Sequence, residues 1–202
     1  MSNPMYPQAP QTQRRWDFGG SALPELWSTV SLGTGMGVSV ANSMLAITTG
    51  TAANSETIVR CTQPLRIKVV AKIIAHITQR IANQTFQIEL MNAAGTSGVV
   101  CKFDSSAQNK ALFNTKNNSI SNSDVGVTCP ANTTSATAFT IGVETDIAYL
   151  EVAAVNSPDL RASAAKIDRY LPDSDELLYL QFRITNGATA PASTTPFYAD
   201  AV

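Results

Sequence analysis

Between Leu65 and Thr78 apolar and polar residues alternate with a period of two, and that alternation limits the fold more than any other feature of the 202-residue chain. Leu65, Ile67, Val69, Ala71, Ile73, Ala75 and Ile77 fall on one face, while Arg66, Lys68, Lys72, His76 and Thr78 fall on the other, with Val70 and Ile74 as exceptions. A helix would scatter both sets around its circumference; a strand with one face in a core separates them. At about 3.3 Å per residue, one strand over this stretch is roughly 45 Å long, enough to curve or carry a bulge.

The pattern recurs. Phe86, Ile88 and Leu90 alternate with Gln87 and Glu89; Phe139, Ile141 and Val143 with Thr140 and Gly142; Leu178, Leu180, Phe182 and Ile184 with Tyr179, Gln181, Arg183 and Thr185. Shorter candidate strands are Trp27–Leu32, Val38–Val40, Met44–Thr48, Thr57–Cys61, Val99–Phe103 and Ile147–Val155. Turn-forming residues separate them at Ala41-Asn42-Ser43, Ala94 to Gly98, Pro172 to Asp175 and Asn186-Gly187. About ten strands with short polar turns predict an all-β fold, a single antiparallel β-sandwich of jelly-roll type spanning residues 14–202. Residues 1–13, with three prolines and three glutamines, predict an extended N-terminal arm. Asp104 to Val127 reads as a long surface loop with a short strand at Ala111–Asn114. Ser157 to Leu171 is open between a strand plus loop and a short helix near 158–169, with Ser157 as N-cap and Pro158 at N1.

Charged residues make up 14% of the chain against about 25% in ordinary domains, while Ser, Thr and Asn number 18, 22 and 13. Such a surface is buried against another protein with little cost from dehydrating ions. A net charge of −1 argues against a generally nucleic-acid-binding surface. No apolar run has the length of a membrane span, and the N-terminus lacks the pattern of a secretion signal. Cys61, Cys101 and Cys129 form no metal-ligand spacing and are expected as reduced thiols, which fits a cytoplasmic site of synthesis. Arg66, Lys68 and Lys72 share the polar face of one strand and form a basic ridge suited to an acidic protein surface.

Catalytic constellations fare poorly. His76 is the lone histidine and sits on a strand without a nucleophile elbow. Retaining glucanases of the concanavalin-like fold use an E-x-D-x-E or E-x-D-x-x-E strand. The nearest match is Glu144-Thr145-Asp146, where Ala148 and Tyr149 stand in place of the closing glutamate. The glycine-rich Gly33 to Gly37 lacks a lysine and a following helix, so it reads as a strand connection, not a phosphate cradle. Asp173, Asp175 and Glu176 fall short of a calcium loop. The aromatics Trp16, Trp27, Tyr149, Tyr170 and Tyr179 are dispersed, and Trp16 and Trp27 suit a core better than a stacking platform. The expectation is no enzyme, no cofactor and no metal.

Trp16-Asp17-Phe18-Gly19-Gly20-Ser21, followed by Leu23-Pro24 and Leu26-Trp27, resembles the opening of concanavalin-like (laminin-G-like) jelly-roll domains over roughly residues 16 to 60. The chain as a whole also resembles small structural proteins of tailed-bacteriophage virions, in its low charge, its Ala/Thr/Ser/Asn richness and its Pro/Gln-bearing arm. That resemblance implies a non-enzymatic capsid decoration (cement) protein that clamps neighbouring subunits of the virion. The alternative it implies is a tail, baseplate or fibre component that binds glycan or receptor. Expected partners are a major capsid protein and further copies of the chain as a dimer or trimer, with no direct nucleic acid and no membrane. Expected contact residues are Met5, Tyr6, Pro7, Arg14 and Arg15 of the arm and its base, with Arg66, Lys68 and Lys72 of the ridge. Assembly into the virion would take place in the host cytoplasm.

Overall fold

A computed structural model describes residues 18–77, 79–129, 137–154 and 161–201. Among them the chain forms β1 (Trp27–Ser31), β2 (Gly37–Ala41), β3 (Met44–Thr48), β4 (Glu56–Cys61), β5 (Leu65–Arg66) and β6 (Val69–Ile77). It continues through β7 (Gln84–Asn92), β8 (Gly98–Phe103), β9 (Lys110–Asn117), β10 (Ile120–Ser121) and β11 (Val125–Thr128). The last five are β12 (Thr137–Val143), β13 (Ala148–Ala154), β14 (Arg161–Ile167), β15 (Leu177–Asn186) and β16 (Pro196–Ala201).

These strands make two antiparallel sheets. The nine-stranded sheet runs β1-β4-β15-β7-β8-β9-β10, with β11 also on β9 and β5 on β15. The seven-stranded sheet runs β14-β13-β12-β6-β16-β3-β2. Their facing sides supply the core. Ala71, Ile73, Ala75 and Ile77 of β6 meet Phe86, Ile88 and Leu90 of β7 and Leu178, Leu180, Phe182 and Ile184 of β15, all buried. Phe182 stacks on Trp27 at 5.5 Å between centroids and leans on Phe197 of the opposite sheet at 6.2 Å. The expected jelly-roll sandwich is what forms.

Three local expectations need correction, and one region left open is decided. The Leu65–Thr78 alternation is not one strand: the chain leaves β5 in one sheet, turns at Lys68 with φ of 73°, and enters β6 in the other. Lys68 N–H donates to Val143 O at 2.9 Å, which fixes that crossing. A period-two pattern survives because both pieces have one face on the shared core. Arg66 therefore belongs to a different sheet from Lys72, and the basic ridge is split. Second, residues 110–128 form β9 to β11; Ala111, Phe113, Thr115 and Val127 bury one side beneath a polar exterior. In the region left open between helix and strand, residues 161–167 are a strand. Alanine-rich sequence favours a helix by intrinsic propensity, but β14 pairs antiparallel with β13 and points Ala165 and Ile167 into the core. Third, β16 closes the seven-stranded sheet between β6 and β3, where no strand was expected. Ser157, Pro158 and the arm residues 1–13 lie outside the described residues.

Phe182 is wholly buried and touches rings from both sheets. Phe182→Ala is expected to lower unfolding free energy by about 3–5 kcal/mol. A urea titration should show a lower midpoint at an unchanged slope.

Candidate functional site

Strand register places the polar side of β4, β15, β7, β8 and β9 in rows across the outer face of the nine-stranded sheet. One row is Arg60, Gln181, Glu89, Val100 and Asn114. The next is Ile58, Arg183, Gln87, Lys102 and Leu112. Side chains two residues apart on a strand share a face, so Tyr179 and Met91 continue the pattern at one end, and Thr85 and Thr185 at the other.

Glu89 is the unusual member. It lies on the side of β7 away from the core, yet it is 2% exposed. Its carboxylate accepts from Arg183 Nε at 3.1 Å and from the Gln181 amide. Gln181 Oε1 in turn accepts from Arg60 Nε at 2.7 Å, and the Arg60 guanidinium lies 5.6 Å over the Tyr179 ring. Arg183 Nη1 donates to Glu56 Oε2 at 2.6 Å. Glu56 and Glu89 thus bind the same guanidinium from two sides.

Burial pushes the Glu89 carboxyl above its ordinary value, against the opposing pull of Arg183 and of its hydrogen bonds, with a smaller upward push from Glu56. Arg183 itself loses proton affinity through burial, but gains more from Glu89 and Glu56, so its charge is secured. A carboxylic acid held protonated nearer to neutral pH is the property a general acid requires. Beyond this group, Lys102 Nζ reaches Asp124 Oδ2 at 2.6 Å and Asn114 Nδ2 reaches Asp124 Oδ1 at 2.7 Å, extending the polar network towards β9.

The residues singled out from sequence land elsewhere. Glu144 and Asp146 sit in the turn between β12 and β13, not on a strand, and both are exposed. His76 is half-buried on the outer side of the seven-stranded sheet, edge-on to Tyr198 at 6.4 Å. Tyr149 packs over Gly142 on that same side, close enough that a Cβ there would lie 2.1 Å from its ring. Gly33 connects β1 to β2; a Cβ on it would meet Ser55 Oγ at 2.3 Å and Glu56 N at 2.9 Å, so this glycine serves close packing. The three cysteines form no disulfide and are buried, and burial raises the Cys129 thiol to about 11. Arg66, Lys68 and Lys72 are exposed, while Met5, Tyr6, Pro7, Arg14 and Arg15 lie outside the described residues. Sequence marks neither carboxyl: Glu89 alternates like any strand acid, and Glu56 precedes the expected Thr57–Cys61 strand.

No family model and no curated protein matches the chain. Solved structures do. A Bacillus licheniformis beta-glucanase is 14% identical, with a TM-score of 0.67 over 95% of this chain and 96% of that one. A transglycosylase in its apo form gives 0.72 at 9% identity, covering 92% and 81%. The catalytic domain of an endo-1,3-beta-glucanase (laminarinase) from Thermotoga petrophila gives 0.64 at 11% identity, covering 94% and 95%. At these identities the likeness is one of fold. It nevertheless corrects the expectation of a non-enzymatic capsid decoration or tail protein. These three chains are named as a beta-glucanase, a transglycosylase and an endo-1,3-beta-glucanase. The virion expectation rested on composition and an arm, neither of which limits what a jelly roll does.

The raised Glu89 carboxyl carries a pH signature. Unfolded, Glu89 ionises at the ordinary value; folded, it does so only at higher pH. Its contribution to stability is therefore full below the ordinary glutamate range and is lost as pH rises through the folded value. Wild type should fall in melting temperature relative to Glu89→Gln as pH is raised from 4 to 8 (about the span from below the ordinary glutamate value to neutrality). The opposite slope would mean that attraction to Arg183 outweighs burial.

Proposed function

We propose that this chain is a carbohydrate-active β-sandwich, which takes a β-linked glucan across the outer face of its nine-stranded sheet and hydrolyses it there. The observation that carries this reading is Glu89: a carboxyl nearly sealed from solvent on the polar side of a central strand, raised in proton affinity by burial, with a second carboxyl across Arg183. The names of the fold neighbours, a beta-glucanase and a laminarinase, supply the substrate class.

In this reading Glu89 gives its proton to the glycosidic oxygen as the bond to the anomeric carbon breaks. Glu56 receives a proton from the water that attacks that carbon. Arg183 holds the two carboxyls apart and, through its charge, limits their mutual repulsion. Gln181 and Arg60 fix the Glu89 rotamer from the other side. Tyr179, half-buried with the Arg60 guanidinium over its ring, flanks the acid on the adjoining row.

Release of reducing ends from β-1,3- and mixed β-1,3-1,4-glucans tests the proposal. Wild type should release them, and Glu89→Gln should lose about 100-fold or more in kcat with little change in KM. No release by wild type from either polymer, or full activity in Glu89→Gln, would overturn it.

A further inference from the structure

Arg60, Gln181 and Glu89 are successive cross-strand neighbours in one row of the outer face, on β4, β15 and β7. Their hydrogen bonds run in one direction along it. Arg60 Nε donates to Gln181 Oε1 at 2.7 Å, and Gln181 Nε2 donates to Glu89 Oε2. A guanidinium has donors and no acceptor, so only the amide oxygen can face it, and the amide nitrogen is thereby turned to the carboxylate. Gln181 is wholly buried, so an amide rotated the other way would set N–H against N–H at Arg60 with no water to relieve the clash. Arg60 is itself held, half-buried, with its guanidinium 5.6 Å over the Tyr179 ring and Nη1 3.5 Å from Ala93 O.

Without Arg60 the amide has a second choice. With its oxygen towards Glu89 it accepts a hydrogen bond from the protonated carboxyl; with its nitrogen there it donates to the ionised one. The first arrangement favours the acid and the second the carboxylate. The other charges that face Glu89 are Arg183 on β15 and, joined to that guanidinium, Glu56 on β4. From β8 the uncharged Val100 stands opposite, and Lys102, one row away, is drawn to Asp124 at 2.6 Å. Burial favours the neutral acid and Arg183 opposes it, so the end of the amide that Glu89 meets adjusts a balance between opposing effects.

We propose that Arg60 is a positioning residue: by fixing the Gln181 amide it keeps Glu89 able to release its proton. This role rests on the reading of Glu89 as the proton donor. A buried carboxyl that also donated to an amide oxygen would be held in its neutral form, whereas a general acid works best when its proton affinity matches the working pH. Among the described residues Arg60 makes no hydrogen bond of its own to Glu89, so its influence passes through the amide.

The test follows the Glu89 carboxyl by carboxyl-carbon NMR across pH, its signal assigned by its loss in Glu89→Gln. Arg60→Met should raise the Glu89 midpoint by about one pH unit. In a Gln181→Met background the same substitution should move it far less. Where wild type hydrolyses glucan, the high-pH limb of kcat should rise with the midpoint in Arg60→Met. An equal shift in both backgrounds would mean that Arg60 acts by its charge alone and would overturn the relay. So would a lowered melting temperature with an unmoved midpoint, the mark of a merely structural arginine. If wild type hydrolyses no glucan while the midpoint shifts as expected, the proton-donor reading falls and the amide relay stands.

Discussion

A file of aromatic rings running between the sheets is the contact on which the rest of the molecule depends. Phe18 lies 5.0 Å from Trp27, Trp27 5.5 Å from Phe182, Phe182 6.2 Å from Phe197, and Phe197 5.5 Å from Phe86. Four of these rings come from the nine-stranded side of the core or the segment leading into it, and Phe197 alone comes from β16 opposite. Each ring removes a large apolar area from water and fills space that aliphatic side chains would leave as voids. The file also sets the register of β15 and β7, because a one-residue slip would send Phe182 or Phe86 to the outer face. The same slip would turn Glu89 and Gln181 inward, so packing on one side of the sheet determines which polar groups meet on the other.

The layered β architecture was legible because its signal is local. Alternation at β6, β7, β12 and β15 names both the strand and the face that is buried, and the Val38–Ile47 hairpin carries its own turn residues. The crossing at Lys68 was not legible. Both sheets present an apolar side to one core, so the alternation runs on through the break and nothing in it marks a change of sheet. The 110–128 region was hidden by composition: Asn, Lys and Ser on its outer side outweighed Ala111, Phe113 and Thr115 within. At β14, helix-favouring alanines spoke against a pairing that the neighbouring strand β13 imposes.

The candidate site was harder to find than the fold for a related reason. Glu89 follows the expected alternation and so looks like any solvated strand acid. Its burial depends on β15 lying alongside with Gln181 and Arg183, nearly a hundred residues later in the chain, and its partner carboxyl Glu56 arrives from β4. Sequence spacing directed attention to Glu144 and Asp146 because they are neighbours, whereas the structure gathers carboxyls by cross-strand register. A search by adjacency along the chain misses a site assembled across strands.

The position of β16 has a consequence for how the molecule is made. It pairs with β3 on one side and β6 on the other, so the middle of the seven-stranded sheet stays open until residue 201 has left the ribosome. Until then β3 and β6 present bare backbone edges and the apolar flanks meant for Phe197, a state prone to wrong pairing. Closing it joins segments about 150 residues apart, a slow event in topologies of this kind. Completion of that sheet therefore waits until β16 has been made.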